Sequence, residues 1–234
     1  MAALQIGDLV LGERPRVVAA GGDAEVGALL AARGADLVEL RIDLFDDPST
    51  EQVTAALERL SGGGRPILAT VRAASEGGRA MDERQRRELY EAALPYVQAI
   101  DVEIASRDLS AHLAPMAAAR DCRLVLSAHD FDGTPAATVL TDLVGEGRSL
   151  GADLVKLATR VDDAHDLQTL LGVTLAERAQ GIVTVGMGPF GALCRVVLPA
   201  AGSSLTYGCV GRPTAPGQLA VTDLRDLLDR LVPA

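Results

Sequence analysis

Apolar, β-branched runs return along the chain at 16–20 (RVVAA), 36–40 (DLVEL), 66–71 (PILATV), 99–104 (AIDVEI), 123–128 (RLVLSA), 153–158 (DLVKLA), 181–185 (GIVTV) and 204–208 (SLTYG). Each is nearly continuous rather than strictly alternating, as expected of parallel strands covered on both faces. Helical patterns lie between them. Segment 49–60 opens on Ser49-Thr50 and repeats apolar residues at Val53, Ala56, Leu57 and Leu60. Segment 81–97 is amphipathic with an acidic start, and 134–147 offers Thr134 as N-cap with Pro135 at the first helical position. Segment 162–179 begins acidic and ends basic, matching the helix dipole. Segment 221–231 gathers Leu224, Leu227, Leu228 and Leu231 on one face. Strand followed by helix, repeated eight times, predicts an α/β fold of the (β/α)8 TIM-barrel type, with 1–234 as a single barrel domain. Segment 4–13 precedes the first barrel strand and predicts a small hairpin closing the barrel bottom. A doubly wound sheet is the competing architecture, but AAGGD (19–23) lacks the third glycine of a dinucleotide loop.

Composition narrows the classes. The 234 residues are 48% hydrophobic and 23% charged, which excludes a disordered chain. No apolar run approaches the roughly 20 residues of a membrane span, and the first residues lack the basic-then-apolar layout of a secretory signal. A formal net charge of −10 argues against a nucleic-acid surface. Cys122, Cys194 and Cys209 are odd in number and widely spaced, which fits neither a disulfide framework nor a zinc site and suits a reducing cytoplasm. Of the 22 basic residues only Lys156 is lysine. A lysine kept against such a background marks a position that arginine cannot serve, because only lysine can act as an amine nucleophile.

In a barrel of this type the chemistry sits at the C-terminal ends of the strands. The second strand ends in Glu39 and Arg41, the third runs into Arg72 and Glu76, and the fourth carries Asp101 and Glu103. The fifth ends in His129, the sixth carries Lys156, and the seventh runs into a loop, GMGPFGALCR, that ends at Arg195. Thr214 and Gln218 follow the eighth. Each has a plain structural reading: Glu39 and Arg41 as a pair, Asp101 and Glu103 as filling of a polar mouth, His129 as a satisfied strand-end histidine, His112 and His165 as surface groups. Together they read differently. Arg41, Arg72 and Arg195 suit an anionic, oxygen-rich small molecule. Burial and like charge around Lys156 favour an uncharged amine, which attacks a ketone to form an imine. His129, one strand away, is the expected base for a proton beside that imine.

These residues, in this order, resemble the type I 3-dehydroquinate dehydratases, the Schiff-base enzymes of the shikimate pathway and of aromatic amino acid biosynthesis. The resemblance rests on LVLGE, VELRIDLF, ATVRAASEGG, SAHDFDGTP, DLVKLA, MGPFGALCR and TAPGQLAVTDLR, which span nearly the whole chain. It implies a lyase that removes water from 3-dehydroquinate by syn elimination, with Lys156 forming the imine and His129 as general acid and base. It further implies Glu76 as the orienter of His129 or a lid contact. Glu39, Arg41, Arg72, Arg195, Thr214 and Gln218 would bind substrate, with Phe131, Met187 and Tyr207 as apolar walls. No metal and no other cofactor is implied, and the partner chain would be a second copy in a homodimer. Thr214 stands where the family usually has Ser, Val185 where Met is common, and Tyr207 where Phe is common, which adds a hydroxyl that needs a partner. Pro189 makes the MGPFG loop less polar than usual. Two alternatives share these residues: a class I aldolase-type barrel using the same lysine imine, and a ligand sensor that binds without turnover.

Overall fold

A computed structural model describes residues 4–211 and 217–232. The chain enters through an antiparallel hairpin, β1 (Gln5–Ile6) and β2 (Leu9–Val10). Strands and helices then alternate. The first half runs β3 (Arg16–Gly21), α1 (Val26–Ala31), β4 (Leu37–Arg41), α2 (Thr50–Ser61), β5 (Ile67–Thr70), α3 (Glu83–Ala93), β6 (Ala99–Glu103) and α4 (Arg107–Ala118). The second half runs β7 (Arg123–Asp130), α5 (Ala137–Ser149), β8 (Leu154–Arg160), α6 (Ala164–Glu177), β9 (Ile182–Met187), α7 (Gly191–Ala201), β10 (Leu205–Cys209), β11 (Leu219–Ala220) and α8 (Val221–Leu231). Strands β3 to β11 form one parallel sheet in the order β11-β10-β3-β4-β5-β6-β7-β8-β9, curled into the expected (β/α)8 barrel. All eight barrel strands fall on the apolar runs of the sequence.

Inward positions alternate by two along each strand. Reading upward, β4 points Leu37, Glu39 and Arg41 inward, and β6 points Ala99, Asp101 and Glu103. Strand β7 presents Val125, Ser127 and His129, in register with Leu154, Lys156 and Ala158 of β8. The lowest layer is apolar and everything above it is largely polar. Ile6 and Leu11 of the hairpin pack against this lowest layer, touching the cluster of Val18, Leu37, Leu68, Ala99, Val125, Leu154, Val183 and Leu205. The hairpin therefore seals the bottom, as its position predicts. The second and larger core lies between the sheet and the helices.

The seam between β9 and β10 differs from the rest. No strand ladder joins these two strands among the described residues. Ser204 N–H donates to the Ile182 carbonyl at 2.8 Å, and the Ser203 hydroxyl accepts the Thr184 N–H at 2.9 Å. Higher up, β11 pairs with the top of β10 at Gly208–Leu219 and Cys209–Ala220. Side chains and a short inserted strand thus close the cylinder there.

Two local expectations fail. Helix α5 starts at Ala137, with Ala136 at its N-cap and no side-chain cap. The Thr134 hydroxyl is engaged elsewhere, donating to the Arg160 carbonyl at 2.7 Å and lying 2.9 Å from Thr159 Oγ1. The stretch expected as a loop up to Arg195 is instead a short 3-10 turn, 188–190, running directly into α7, so Arg195 sits on a helix. By contrast Ser49, Asp82 and Asp163 cap α2, α3 and α6 by accepting backbone N–H groups of the first turn.

Candidate active site

The mouth of the barrel holds a cavity of about 190 Å³ lined by Glu39, Arg41, Arg72, Glu76, His129, Phe131, Lys156, Met187, Arg195, Tyr207 and Gln218 among others. Eleven of the twelve site residues expected from the sequence therefore converge on one space. Thr214, the twelfth, lies outside the described residues.

Lys156 rises from the floor of this cavity and is 5% exposed. Its Nζ donates to Asp101 Oδ2 at 2.8 Å and stands 4.4 Å above the centre of the Tyr207 ring. The crowd of like charge expected around the amine is not what surrounds it. Arg72, which was to supply part of it, is itself neutralised. Its Nη2 lies 3.0 Å from Asp101 Oδ2, and its Nη1 donates to Glu103 Oε1 at 2.9 Å and to Ser127 Oγ at 2.7 Å. Glu103 is held from behind by Arg86 on α3, and Asp101 also accepts the Ser127 hydroxyl at 2.6 Å. Burial alone would raise the Asp101 carboxyl, but the charges of Arg72 and Lys156 overcome it and hold the group far below the usual carboxylate range. Asp101 and Glu103 thus do more than fill a polar mouth. They fix the two cations against each other.

His129 occupies the next inward position up on the neighbouring strand. Ser127 is the register partner of Lys156, so His129 lies two residues, or about 7 Å along the strand, above it. Its Nδ1 lies 2.8 Å from Glu76 Oε2, and the same oxygen accepts its backbone N–H at 3.0 Å. Burial, reinforced by the positive charges of Arg72 and Lys156, holds the imidazole well below its usual pKa, so it is neutral at pH 7. Burial also pushes the Glu76 carboxyl up, to about 7, against the pull of Arg72. Glu76 reaches this place through a 3-10 turn, 74–76, that ends in two glycines. Gly77 is left-handed (φ +85°), and a Cβ on Gly78 would sit 1.9 Å from the Arg72 carbonyl. The Glu-Gly-Gly motif is therefore what lets the turn fold back tightly against the end of β5.

The three arginines prove unequal. Arg41 is bonded to Asp43 through Nε at 2.9 Å and Nη2 at 2.6 Å, so the pairing with Glu39 is not made. Glu39 instead accepts the Thr70 hydroxyl at 2.6 Å. Arg72 has two carboxylates. Arg195 has none among the described residues: its Nε donates to the Tyr207 carbonyl, and its Nη1 to the carbonyls of Gly186, Gly191 and Gly217. Burial without a countercharge lowers its pKa to about 10. It is the cationic group of the cavity best placed to gain from an anionic ligand. Phe131 stacks on His129 at 6.5 Å and is 42% exposed, so it forms the rim rather than a wall, while Met187 and Tyr207 are buried. His112 and His165 are exposed, as expected. No group of three or more His, Cys, Asp or Glu side chains suited to hold a metal occurs among the described residues.

The family model described as "Type I 3-dehydroquinase" matches residues 22–232. This chain belongs to the type I 3-dehydroquinase family. It is 42% identical over 221 residues to a 3-dehydroquinate dehydratase of Halobacterium salinarum, covering 89% of this chain and 95% of that one. It is 33% identical over 233 residues to a 3-dehydroquinate dehydratase of Methanococcoides burtonii, covering 97% and 99%. The crystal structure of a Geobacillus kaustophilus 3-dehydroquinate dehydratase superposes with a TM-score of 0.90 at 29% identity, covering 98% of this chain and 96% of that one. Membership of the 3-dehydroquinase family makes the chain a carbon–oxygen lyase. No helix among the described residues is long and apolar enough to cross a membrane.

One residue that supports this 3-dehydroquinase site, Arg86, escapes a reading of the sequence. It holds Glu103 and the Val71 carbonyl from outside the barrel. The signal was present: Arg86, Leu89, Tyr90 and Ala93 are spaced i, i+3, i+4, i+7, and all four are buried. Asp43 was legible as the last acidic residue of VELRIDLF, but its partners, Arg41 and the Arg72 N–H at 3.1 Å, were not.

Proposed function

We propose that this chain dehydrates 3-dehydroquinate to 3-dehydroshikimate through an imine on Lys156, with His129 as the acid and base. The observation that carries this reading is that the chain's single lysine and the His129 imidazole, one inward step higher on the adjacent strand, line one small, closed-bottomed cavity.

The Arg195 guanidinium, charged and without an acidic partner among the described residues, receives the substrate carboxylate. Glu39 and Arg41 meet the ring hydroxyls, and Gln218, which lines the same cavity, covers the open side. His129 takes a proton from the Lys156 ammonium and so frees the nitrogen lone pair to attack the C3 carbonyl. It returns that proton to the carbinolamine hydroxyl, which leaves as water to give a protonated imine, with His129 neutral again. Asp101 keeps the nitrogen in place throughout and offsets the positive charge of the iminium. That iminium draws electrons from C2. The Nε2 of His129 takes the C2 proton, and Glu76 stabilises the imidazolium through Nδ1. The same imidazolium then gives its proton to the departing C1 hydroxyl on the same face, which leaves as water. Hydrolysis of the imine consumes one water and returns the amine and the ketone. The net change is loss of one water. No redox step occurs.

Incubation with dehydroquinate and borohydride tests the reading. The expected result is a mass increment mapping to Lys156, together with enone absorbance in the untreated reaction. Enone formation with no trapped adduct overturns the imine. An adduct without enone makes the chain a ligand sensor.

A further inference from the structure

Tyr207 carries a polar group that the mechanism above does not use. It points inward from β10, level with Val18 of β3, and is 6% exposed. Its ring face meets the Lys156 ammonium at 4.4 Å, a cation–π contact that fixes the ring across the floor of the site. Its hydroxyl is covered and has no hydrogen-bond partner among the described residues. Most buried hydroxyls are paired, because one left bare gives up its bonds to water with nothing in return. Burial, together with the negative charges of Glu39 and Asp101, holds the phenol protonated far above its ordinary range. It is therefore an O–H donor at neutral pH. Arg72, Arg86, Tyr90, Ser127 and Thr70 are all paired in this part of the barrel, so the Tyr207 donor is an exception in an otherwise satisfied interior.

We propose that the Tyr207 hydroxyl is a specificity-determining donor that completes its hydrogen bond only in the complex, to an oxygen of the bound cyclic polyhydroxy keto-acid on the Glu39 side of the cavity. The inference rests on the proposed function and adds a contact to it. The hydroxyl is covered in the free protein, so the ligand reaches it as the Tyr207–Glu39 wall repacks, and the new bond offsets that rearrangement. A site with such a donor discriminates against ligands that lack the matching oxygen, since the donor then stays unpaired.

The test is Tyr207→Phe, which keeps the ring over Lys156 and removes only the hydroxyl. Steady-state kinetics with dehydroquinate and thermal unfolding with and without a non-reacting cyclic hydroxy-acid are measured on both proteins. The expected result is a KM at least about 5-fold higher with kcat changed less than 2-fold, and a smaller ligand-induced rise in Tm. Without ligand, Y207F is expected to be as stable as the parent or more so, because a bare buried hydroxyl has been removed. Unchanged KM and an unchanged ligand shift overturn the proposal. So does a clear loss of stability in ligand-free Y207F, which would mean that the hydroxyl is paired inside the free protein. If the parent protein itself fails to turn over dehydroquinate, the functional reading falls and this inference falls with it. If the parent turns over and Y207F matches it, only the inference falls.

Discussion

One oxygen of Glu76 serves His129 twice: Oε2 lies 2.8 Å from the imidazole Nδ1 and accepts the backbone N–H of the same residue at 3.0 Å. The ring is thereby fixed in the tautomer that leaves Nε2 as the free base. The pair sets the expected pH behaviour. Glu76 must be ionised to hold the ring, and burial places its pKa at about 7, while His129 is neutral throughout that range. The kcat/KM profile is expected to rise through an apparent pKa of about 7 that belongs to the pair. Glu76→Gln is expected to remove that limb and to lower kcat about 10- to 100-fold, with borohydride trapping at Lys156 retained. A wild-type limb that persists in E76Q assigns the titration to another group.

Stability follows different signs. The raised pKa of Glu76 means the folded state binds more protons than the unfolded one, so its contribution falls as pH rises from about 4.5 to 7. The depressed pKa of His129 does the opposite below about 6.5. The two oppose each other, so the pair is expected to leave Tm nearly flat between pH 5 and about 6.5 while activity changes steeply.

Lys156→Arg preserves charge and approximate bulk beside Asp101 but removes the nucleophile. Turnover is expected to fall at least about 10³-fold with binding retained, read by calorimetry with the non-reacting analogue. Near-normal turnover would rule the imine out.

Asp101 joins Lys156 to Arg72 at distances of 2.8 and 3.0 Å. Asp101→Asn leaves both cations without this charge, and removing one partner of a buried pair costs about 3 kcal/mol or more. In a chain of this length that is a fall in Tm of roughly 6–12 °C. The depressed pKa of Asp101 contributes stability that is present above the unfolded value of about 4 and is lost as pH falls below it. D101N is therefore expected to lose less stability than the parent on acidification below pH 4. Parallel acid-unfolding curves would show that the pair carries no such linkage.

Arg195→Lys tests a dual role. A lysine is a point donor and cannot bridge β9, β10 and Gly217 together as the guanidinium does. The variant is expected to lose about 2–3 kcal/mol of stability, from carbonyls left unpaired. KM is expected to rise more than 10-fold, from weaker hold on the carboxylate. A KM effect with no change in unfolding would separate the two roles.

The strands were legible because their signal is local: apolar β-branched runs of the right length, with polar residues at their upper ends. The site candidates were legible for the same reason, since Glu39, His129 and Lys156 lie on or at the upper ends of those runs. Partnerships were not. Arg41 lies two residues from Glu39 and looks like its mate, yet Asp43 has the better bidentate geometry. The pairing of Lys156 with Asp101 spans 55 residues and depends on how far around the barrel β6 lies from β8. Three helices also gave weak signals. Helix α1 has six residues and a glycine, α4 contains Pro115, and α7 follows Gly-Pro-Phe-Gly and contains Pro199. Their register comes from packing against the sheet rather than from propensity.

The hoop of strands is fastened at a clasp, and Arg195 is its pin. The same guanidinium that we propose meets an incoming anion also holds shut the ring of staves around the cavity. Selection therefore cannot retune ligand affinity at this position without also altering the integrity of the enclosure. Drift in the strength of binding is expected to come from the wall around Glu39 and Arg41, two strands away from that seam.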